Sequence, residues 1–506
     1  MKTTMVAWAV LVGLSGIPSA QEADSPAPSV EAADSGPTTG EPAPAPPEPA
    51  EPAAAPAAEP QPAPTAPEAV SPAATATRVR MELEARGELF APAGQDAGTI
   101  RQPISVTARF DFTERPDDVA AVLREYAEAT AAIRIDGREQ EITLPPDARR
   151  VRVALQGTTP VPYLADAFLA REEADLLDTP FDAVLLDRLL PAEPVAVGAK
   201  WTVAADATAG MLSIDTVESG GLEAELTGVD DGLATVRLAG TIDGAVDGVP
   251  THLVVEGECG AAGEPADRGE RTTWRLTATR VAAVTLRERR QAGHVAPGFE
   301  VEARVAVSRR PAAAAGDAER AVPTDRASGR RRGEGRPGMV WHRDPADGFD
   351  LVCDARWRVV EDGPNGCVMR LVDRGALVGQ CSLTALPRSD ALVPPTIAEV
   401  QRDIERSLAG QFGRFEHASE ATRSDGVRIV RVVSEGAAEN LPFRWIHYVL
   451  SDASGRRAAA TFMHEVSAAK RFADADRQLI DGLGFPATAA SPPDREARAP
   501  RESLTP

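Results

Sequence analysis

The sequence predicts an α+β protein of two domains, each a mainly antiparallel β-sheet with packed helices, together with disordered linkers. Apolar and polar residues alternate in several separate segments, as in strands with one buried face. Helical spacing of apolar residues occurs in other segments. Abrupt changes in composition separate the folded parts, which we place at residues 78–310 and 339–487.

Composition identifies the linkers. Residues 21–77 contain nine acidic residues, fifteen prolines and no lysine or arginine. Such a stretch lacks the large apolar side chains needed to offset chain entropy, which predicts a disordered Pro/Ala/Glu-rich spacer. Residues 311–338 predict a second, Arg/Gly-rich linker, and residues 488–506 a disordered tail. Gly333, Gly335 and Gly338 match a dinucleotide-binding spacing, but the strand and helix that this motif requires are not predicted around them.

The first twenty residues predict export. Met1-Lys2 is a short basic start, Met5 to Ile17 is nearly all apolar, and Pro18-Ser19-Ala20 offers small residues for cleavage between Ala20 and Gln21. An apolar run of 13 residues is shorter than the roughly 20 needed to span a membrane. We therefore expect a secreted or periplasmic protein with no membrane anchor after signal cleavage.

Charge limits the choice of partner. The 506-residue chain has a net charge of -22 and is 43% hydrophobic, enough for real cores. A strongly acidic chain repels nucleic-acid phosphates, so nucleic acid is an improbable partner class.

The first domain reads as a β-meander with inserted helices. Alternating segments start at Val79 and continue through four further runs: Leu222–Val229, Leu233–Ile242, Leu253–Gly257 and Trp274–Val284. Asp231-Gly232 and Asp243-Gly244 supply turn residues between consecutive runs.

Two helices are predicted within that domain. Val119, Leu123 and Tyr126 have helical spacing between Asp117 and Thr130. Thr179 and Pro180 suit the start of a second helix whose apolar stripe ends before Pro191. Residues 176–201 around it resemble a stretch of uncharacterised exported bacterial proteins.

The second domain resembles the PsbP/Mog1-like domains. The resemblance rests on Gly348 to Cys353 followed by Trp357 to Val360, a strand, a short turn and a Trp-x-Val strand. In this sequence Asp354-Ala355-Arg356 replaces the usual proline-containing turn. The later elements also fit, in the order Cys367–Val372, Leu377–Leu386, the helix Thr396–Gly410, Val427–Glu435, Phe443–Ser451, Ala458–Val466 and the helix Ala468–Leu483. The resemblance implies an α+β sandwich and, loosely, a protein-binding or accessory role.

Cysteine spacing predicts one disulfide. If Asp373 to Gly375 is a three-residue hairpin loop, Cys367 faces Cys381, and opposed cysteines can be bridged in an oxidising compartment. A slip of one residue would break this pairing and make Cys353 the competitor. Cys259 is expected to be a small buried residue.

No catalytic residue, cofactor site or metal ligand is predicted. His464-Glu465 begins like a zinc-protease motif, but Ala468 stands where its second histidine would be. The carboxylates Glu172, Glu173, Asp175 and Asp178 are interpreted as the solvated face of a helix.

These observations favour an exported, non-enzymatic binding or scaffold protein whose partner is another exported protein. The alternative is a carrier that encloses a lipid or other apolar ligand in the first domain. A large apolar cavity there would favour the carrier, and a filled core would favour the scaffold. A cryptic hydrolase is a third hypothesis, which requires convergent polar residues in a cleft.

Overall fold

In the computed structural model, the described residues are 76–92, 99–267, 272–290, 298–312, 330–346, 348–363, 366–388, 395–438 and 440–486. The predicted signal peptide, its cleavage between Ala20 and Gln21, almost all of the spacer 21–77 and the tail 488–506 lie outside these residues. We call the described part of 76–312 the N-terminal region and that of 330–486 the C-terminal region.

The alternating segments of the N-terminal region form one antiparallel sheet. Its long strands place one set of alternate side chains, such as Val79, Met81 and Leu83, in the core and the other set outside. The thirteen strands are β1 Thr77–Pro92, β2 Thr99–Pro116, β3 Val122–Ile135, β4 Arg138–Thr143, β5 Arg150–Gln156, β6 Thr159–Tyr163, β8 Val195–Ala196, β9 Lys200–Thr202, β10 Thr216–Asp230, β11 Leu233–Val246, β12 Val249–Asp267, β13 Thr273–Arg290 and β14 Gly298–Pro311.

Most strands of this sheet pair with strands that are adjacent in sequence, but at the centre of the sheet strands far apart in sequence are paired. The strand order is β6-β5-β3-β2-β1-β14-β13-β12-β11-β10-β9, with β4 beside β3 and β8 beside β13. The first strand therefore pairs with the last, from Thr77 opposite Pro311 to Phe90 opposite Gly298. The meander predicted for residues 222–284 is confirmed as part of this sheet. The predicted turn at Asp243-Gly244 is wrong, because these residues lie within β11 and the chain turns at Asp247-Gly248.

The C-terminal region has its own sheet of seven strands. In order across the sheet they are β17 Trp357–Gly363, β18 Gly366–Asp373, β19 Ala376–Leu386, β23 Arg457–Glu465, β22 Leu441–Ser451, β21 Arg428–Ala438 and β20 Phe412–Thr422. Its core contains Trp357, whose ring packs edge-on against Phe462 and Phe472.

A small sheet joins the two regions. Its strands are β24 Leu483–Gly484, β16 Asp350–Asp354, β15 Met339–Arg343 and β7 Leu169–Ala170. β7 of the N-terminal region pairs in parallel with β15, with Leu169 opposite Val340. The Arg171 guanidinium donates to the carbonyl oxygens of Ala355 and Trp357. The described residues accordingly belong to one compact unit, and the division into two domains stays a prediction.

The end of the predicted linker 311–338 lies against this junction. The Arg330 guanidinium donates to the Glu173 carboxylate at 2.6 Å and to Asp147 at 2.8 Å. Its neighbour Arg331 donates to Asp350 at 2.7 Å. Residues 313–329, the greater part of the same linker, lie outside the described residues.

The predicted α+β class is wrong, because the protein is mostly antiparallel β-sheet, with 63% strand and 15% helix. The helical segments are short and do not form a packed layer. They are the α-helices Arg171–Leu177, Ala205–Met211, Ile397–Leu408, Ala469–Phe472 and Ala475–Gly482, and the 3₁₀ helices Pro146–Ala148, Ala183–Leu189, Ala409–Gln411 and Val466–Ala468. None of the described helices combines the length and the apolar character that crossing a membrane requires.

The helix predicted between Asp117 and Thr130 is wrong, since most of this segment belongs to β3. A β-bulge lies opposite Asp111 and Phe112, so that Phe112 faces Tyr126 while Phe110 faces Ala129. The extra residue places two inward side chains three positions apart instead of two. The residues that suggested a helix precede this bulge and do not share a face: Val119 is 69% exposed, and Leu123 and Tyr126 point to opposite sides of β3.

Two other helix predictions are correct in place but not in detail. The helix expected after Thr179 is the 3₁₀ helix Ala183–Leu189, and its cap is Asp182, whose carboxylate accepts from the Val184 amide. The last predicted helix is broken at Ala473, which has a left-handed φ of 45°. The helix predicted from Thr396 is confirmed as Ile397–Leu408, capped by Thr396.

Candidate functional site

The C-terminal region contains a polar pocket of about 250 Å³. Strands β20 to β23 form its floor, and the short helix Ala469–Phe472 forms one wall. It is lined by Glu416, His417, Arg431, Val433, Arg444, Ile446, His464, Ala469, Phe472 and Ala473.

Strand register explains why these side chains meet. Arg444 lies directly opposite His464, and Val433 lies opposite Ile446. Residues two apart on a strand share a face, so Arg431 joins Val433, and Arg444 joins Ile446, on the side that the helix covers. The sequence analysis did not predict this site, because β20 was missed and the register of the four strands was not worked out.

Arg431 is held in a fixed position. Its Nε donates to the Tyr448 hydroxyl at 2.8 Å and its Nη2 donates to Asp476 at 2.9 Å. The Tyr448 hydroxyl also donates to Asp476 at 2.6 Å. Burial, and then the Asp476 carboxylate, raise the pKa of Tyr448 well above its usual value. The network keeps the arginine charged and limits its rotation.

Arg444 is held on one side only. Its Nη2 lies 2.7 Å from the Glu435 carboxylate and 3.0 Å from that of Glu416, and the hydrogen bond from Arg444 lowers the pKa of Glu435. Its buried Nε has no hydrogen-bond partner among the described residues. Buried donors are normally paired, so this one needs an explanation.

His464 completes the polar lining. Its ring stacks on Phe472 at 4.4 Å between centroids, and its Nδ1 lies 2.8 Å from the Glu465 carbonyl oxygen. Burial lowers the pKa of His464. A neutral imidazole beside two guanidinium groups suits recognition of an acidic group, since charge-assisted hydrogen bonds are the stronger ones.

The cavities found in the N-terminal region are much smaller than the polar pocket. Two cavities in its described part, one beside Thr159 and one beside Val79, have volumes of about 10 Å³ each. Each has room for about one water molecule. The inserted segments pack their buried side chains, including Phe181 and Leu186, against the sheet and fill the space that an apolar ligand would need.

The predicted register of Cys367 and Cys381 is wrong. Cys367 faces Leu383, and Cys381 faces Met369. The hairpin loop has two residues, Arg374 and Gly375, both with positive φ, and a bulge follows it. The two cysteines are thus diagonal neighbours, whose Cα atoms are about 7–8 Å apart. This distance is too long for a disulfide without backbone movement. All four cysteines are free and buried in the structure.

A second polar cluster, which sequence reasoning missed, lies near those cysteines. It consists of His342, Asp362 and Cys367, whose ligand atoms all lie within 4.8 Å of one another. Burial, and then Arg171, lower the pKa of His342 to about 4. Burial, and then Asp344 and Glu172, raise the pKa of Asp362 to about 7.

Part of this cluster had a sequence signal. Asp362 and Cys367 are opposed across a short hairpin, which the spacing of two strands around residues 364–365 could have revealed. His342 had none, because β15 reaches the cluster through tertiary packing. Burial also raises the pKa of the Cys367 thiol far above its usual value, which makes it a poor nucleophile without a cation nearby.

Of the carboxylates at 172–178, Glu172 is exposed as the sequence suggested, but the others do not extend it into a solvated face. Glu173 and Asp175 are buried, with 7% and 3% of their surface exposed. The Glu173 carboxylate accepts from the Ala170 amide and from Arg330. These groups stabilise the junction between the two regions.

Comparison with known proteins gives only remote likenesses. No protein-family profile matches the chain, and none of the curated proteins matches it. The solution structure of PsbP (CyanoP) from Synechocystis sp. PCC 6803 is 12% identical, with 29% of this chain and 93% of that chain covered and a TM-score of 0.25. Lipovitellin, in a structure concerned with lipid–protein interactions, is 9% identical, with 48% and 26% covered and a TM-score of 0.24.

A variant of the Rh. blastica porin is 8% identical, with 76% of this chain and 99% of that chain covered and a TM-score of 0.12. This chain spans about a quarter of the lipovitellin chain that it matches. TM-scores of this size do not establish a common fold, so the function has to follow from the geometry of the pocket.

Proposed function

We propose that this chain is an exported, non-catalytic binding protein, and that the polar pocket of its C-terminal region holds one acidic anchor group of a protein partner. The observation that carries the proposal is the pocket of about 250 Å³ lined by the guanidinium groups of Arg431 and Arg444. A carboxylate placed there would face these two groups, and charge-assisted hydrogen bonds to guanidinium groups are strong.

Pocket size favours an anchor group over a whole lipid. Sites for drug-sized ligands measure roughly 300–1,000 Å³, so this pocket is at or below the lower limit. An acidic side chain or a chain terminus fits this volume. Interfaces often depend on a few such anchors in preformed pockets, and Arg431 is already fixed by Tyr448 and Asp476.

The composition of the lining supports binding rather than covalent catalysis. The described residues around the pocket include no serine, threonine, cysteine or lysine that could act as a nucleophile. The export signal predicted for residues 1–20 supports a partner in the same compartment.

The test is affinity purification of the full chain from its native compartment, followed by mass spectrometry of whatever remains bound. We expect a stoichiometric protein that is retained by the wild type and lost from Arg444→Gln. Arg414→Gln is the matched control, since Arg414 also pairs with Glu435, at 3.0 Å, but is 72% exposed and does not line the pocket. A lipid that co-purifies equally with all three proteins would support the carrier and contradict this proposal.

A further inference from the structure

A metal site is suggested by three donor atoms from three different strands. His342 lies on β15, Asp362 on β17 and Cys367 on β18, and their ligand atoms all lie within 4.8 Å of one another. His342 Nε2 lies 3.8 Å from Asp362 Oδ1. This cluster is separate from the polar pocket and does not depend on its proposed function.

Two of the donor atoms lack the partners that buried polar atoms require. Neither His342 Nε2 nor Asp362 Oδ1 makes a hydrogen bond within the described residues. At 3.8 Å they are too far apart to bond to each other. The His342 side chain is only 6% exposed, so solvent cannot readily take the place of a partner. Leaving such an atom unpaired is energetically unfavourable.

The surrounding charges favour a cation. The Asp344 and Glu172 carboxylates act on Asp362, and the buried Arg171 guanidinium acts on His342 and Cys367. Two neighbouring carboxylates thus act on the site together with one guanidinium. A divalent cation would offset the excess negative charge.

The donor types indicate which cation. Magnesium and calcium prefer sites made only of oxygen atoms, whereas one nitrogen, one oxygen and one sulfur suit zinc. Zinc takes such ligands at about 2.0–2.3 Å in a tetrahedron, so its ligand atoms are about 3.4 Å apart. His342 and Asp362 would need to approach by only a few tenths of an ångström. Asp362, with its side chain 21% exposed, provides a route from solvent.

We propose that His342 Nε2, an Asp362 carboxylate oxygen and the Cys367 thiolate bind one Zn²⁺ ion. The fourth tetrahedral position is open to water. Binding releases the thiol proton to solvent, and the metal replaces the partners that the histidine and the carboxylate lack. The ion would connect β15 to the hairpin formed by β17 and β18.

The experiment uses the full chain, purified with a reductant and a chelator, transferred to chelator-free buffer and titrated with ZnCl₂ or CoCl₂. We expect one zinc per chain by elemental mass spectrometry. With cobalt we expect the near-ultraviolet absorption of a cobalt–thiolate bond. Cys367→Ala should remove that absorption and weaken zinc binding by more than about 10-fold.

The matched control is Cys259→Ala, which removes a buried thiol in the N-terminal region and should change neither signal. If Cys367→Ala fails to fold, Asp362→Asn changes a more exposed ligand and should also weaken zinc binding by more than about 10-fold. A folded wild type that binds no zinc, cobalt–thiolate absorption that survives in Cys367→Ala, or zinc binding unchanged in Asp362→Asn would each overturn the assignment.

Discussion

Two buried charged clusters, one in each region, differ in whether their charged groups have hydrogen-bond partners within the protein. In the N-terminal region Arg124 donates to Glu114 at 2.9 Å and to Asp182 at 2.8 Å, and all three side chains are at most 5% exposed. In the C-terminal region His342 and Asp362 remain 3.8 Å apart without a hydrogen bond. The first cluster is complete within the protein, whereas the second has room for a missing partner.

The difference arises from which elements supply the charges. Glu114 and Arg124 are opposed across neighbouring strands, and the Asp182 that caps a 3₁₀ helix reaches over them. These carboxylates approach the planar guanidinium closely, which suits the geometry of its donors. His342 and Asp362 come from separate sheets, so their distance is set by packing rather than by strand pairing.

Breaking the complete cluster should have the largest effect. Arg124→Gln leaves Glu114 and Asp182 buried without their cation, and loss of one member of such a group costs about 3–5 kcal/mol. Urea denaturation followed by circular dichroism measures this. A decrease of less than about 1 kcal/mol in the free energy of unfolding would show that water reaches the two carboxylates. The two clusters would then not differ as described.

A second prediction concerns acid stability in the C-terminal region. Burial lowers the pKa of His447 to about 4, below its value of about 6.5 in the unfolded chain. Its neutral form therefore stabilises the fold above pH 6.5, and this contribution, on the order of 3 kcal/mol, is lost as the pH falls from 6.5 to 4. In His447→Gln the free energy of unfolding should decline less steeply over that interval. Parallel curves for the two proteins would contradict the prediction.

The incomplete cluster should respond weakly when zinc is absent. Asp362→Asn removes a carboxylate that has no hydrogen bond to lose at Oδ1, so in chelated protein we expect a change within about 1 kcal/mol. Urea denaturation with chelator provides the measurement. A loss as large as that for Arg124→Gln would mean that Asp362 already has a strong partner.

The smallest effect is expected at the surface. Arg78 donates to Asp111 at 2.7 Å, which is shorter than the 2.9 Å from Arg124 to Glu114. The Arg78 side chain, however, is 52% exposed. Exposed pairs contribute little because water already solvates both charges. Arg78→Gln should leave the urea midpoint unchanged, which makes it the control for Arg124→Gln.

Sequence reasoning succeeded where local chemistry decides the structure. Thr396 and Glu399 form a capping box, and the helix begins there as expected. Alternation identified β18, β19, β21, β22 and β23. The α+β class failed because the chance spacing of Val119, Leu123 and Tyr126 suggested a helix where β3 runs, and because strand pairing, not helix packing, builds both cores.

The sites were harder to predict than the strands. The type I′ turn at Arg374-Gly375 and the bulge after it shifted Cys367 away from Cys381, two local events that strand patterns do not reveal. The pocket around Arg444 needed the missed strand β20. The cluster at His342 needs the order in space of β15 relative to β17 and β18. That order depends on contacts between distant parts of the chain.

The pairing of β1 with β14 also affects how the protein folds. The two strands at the centre of the larger sheet are separated by more than 200 residues of sequence, since Thr77 lies opposite Pro311. Closing so long a loop is slow relative to local structure formation. The N-terminal region therefore cannot complete its sheet until its final strand has been synthesised, and until then the edges of β1 and β13 lack their native neighbour β14. An unfinished chain thus has two open sheet edges, one on each side of the position that β14 will occupy.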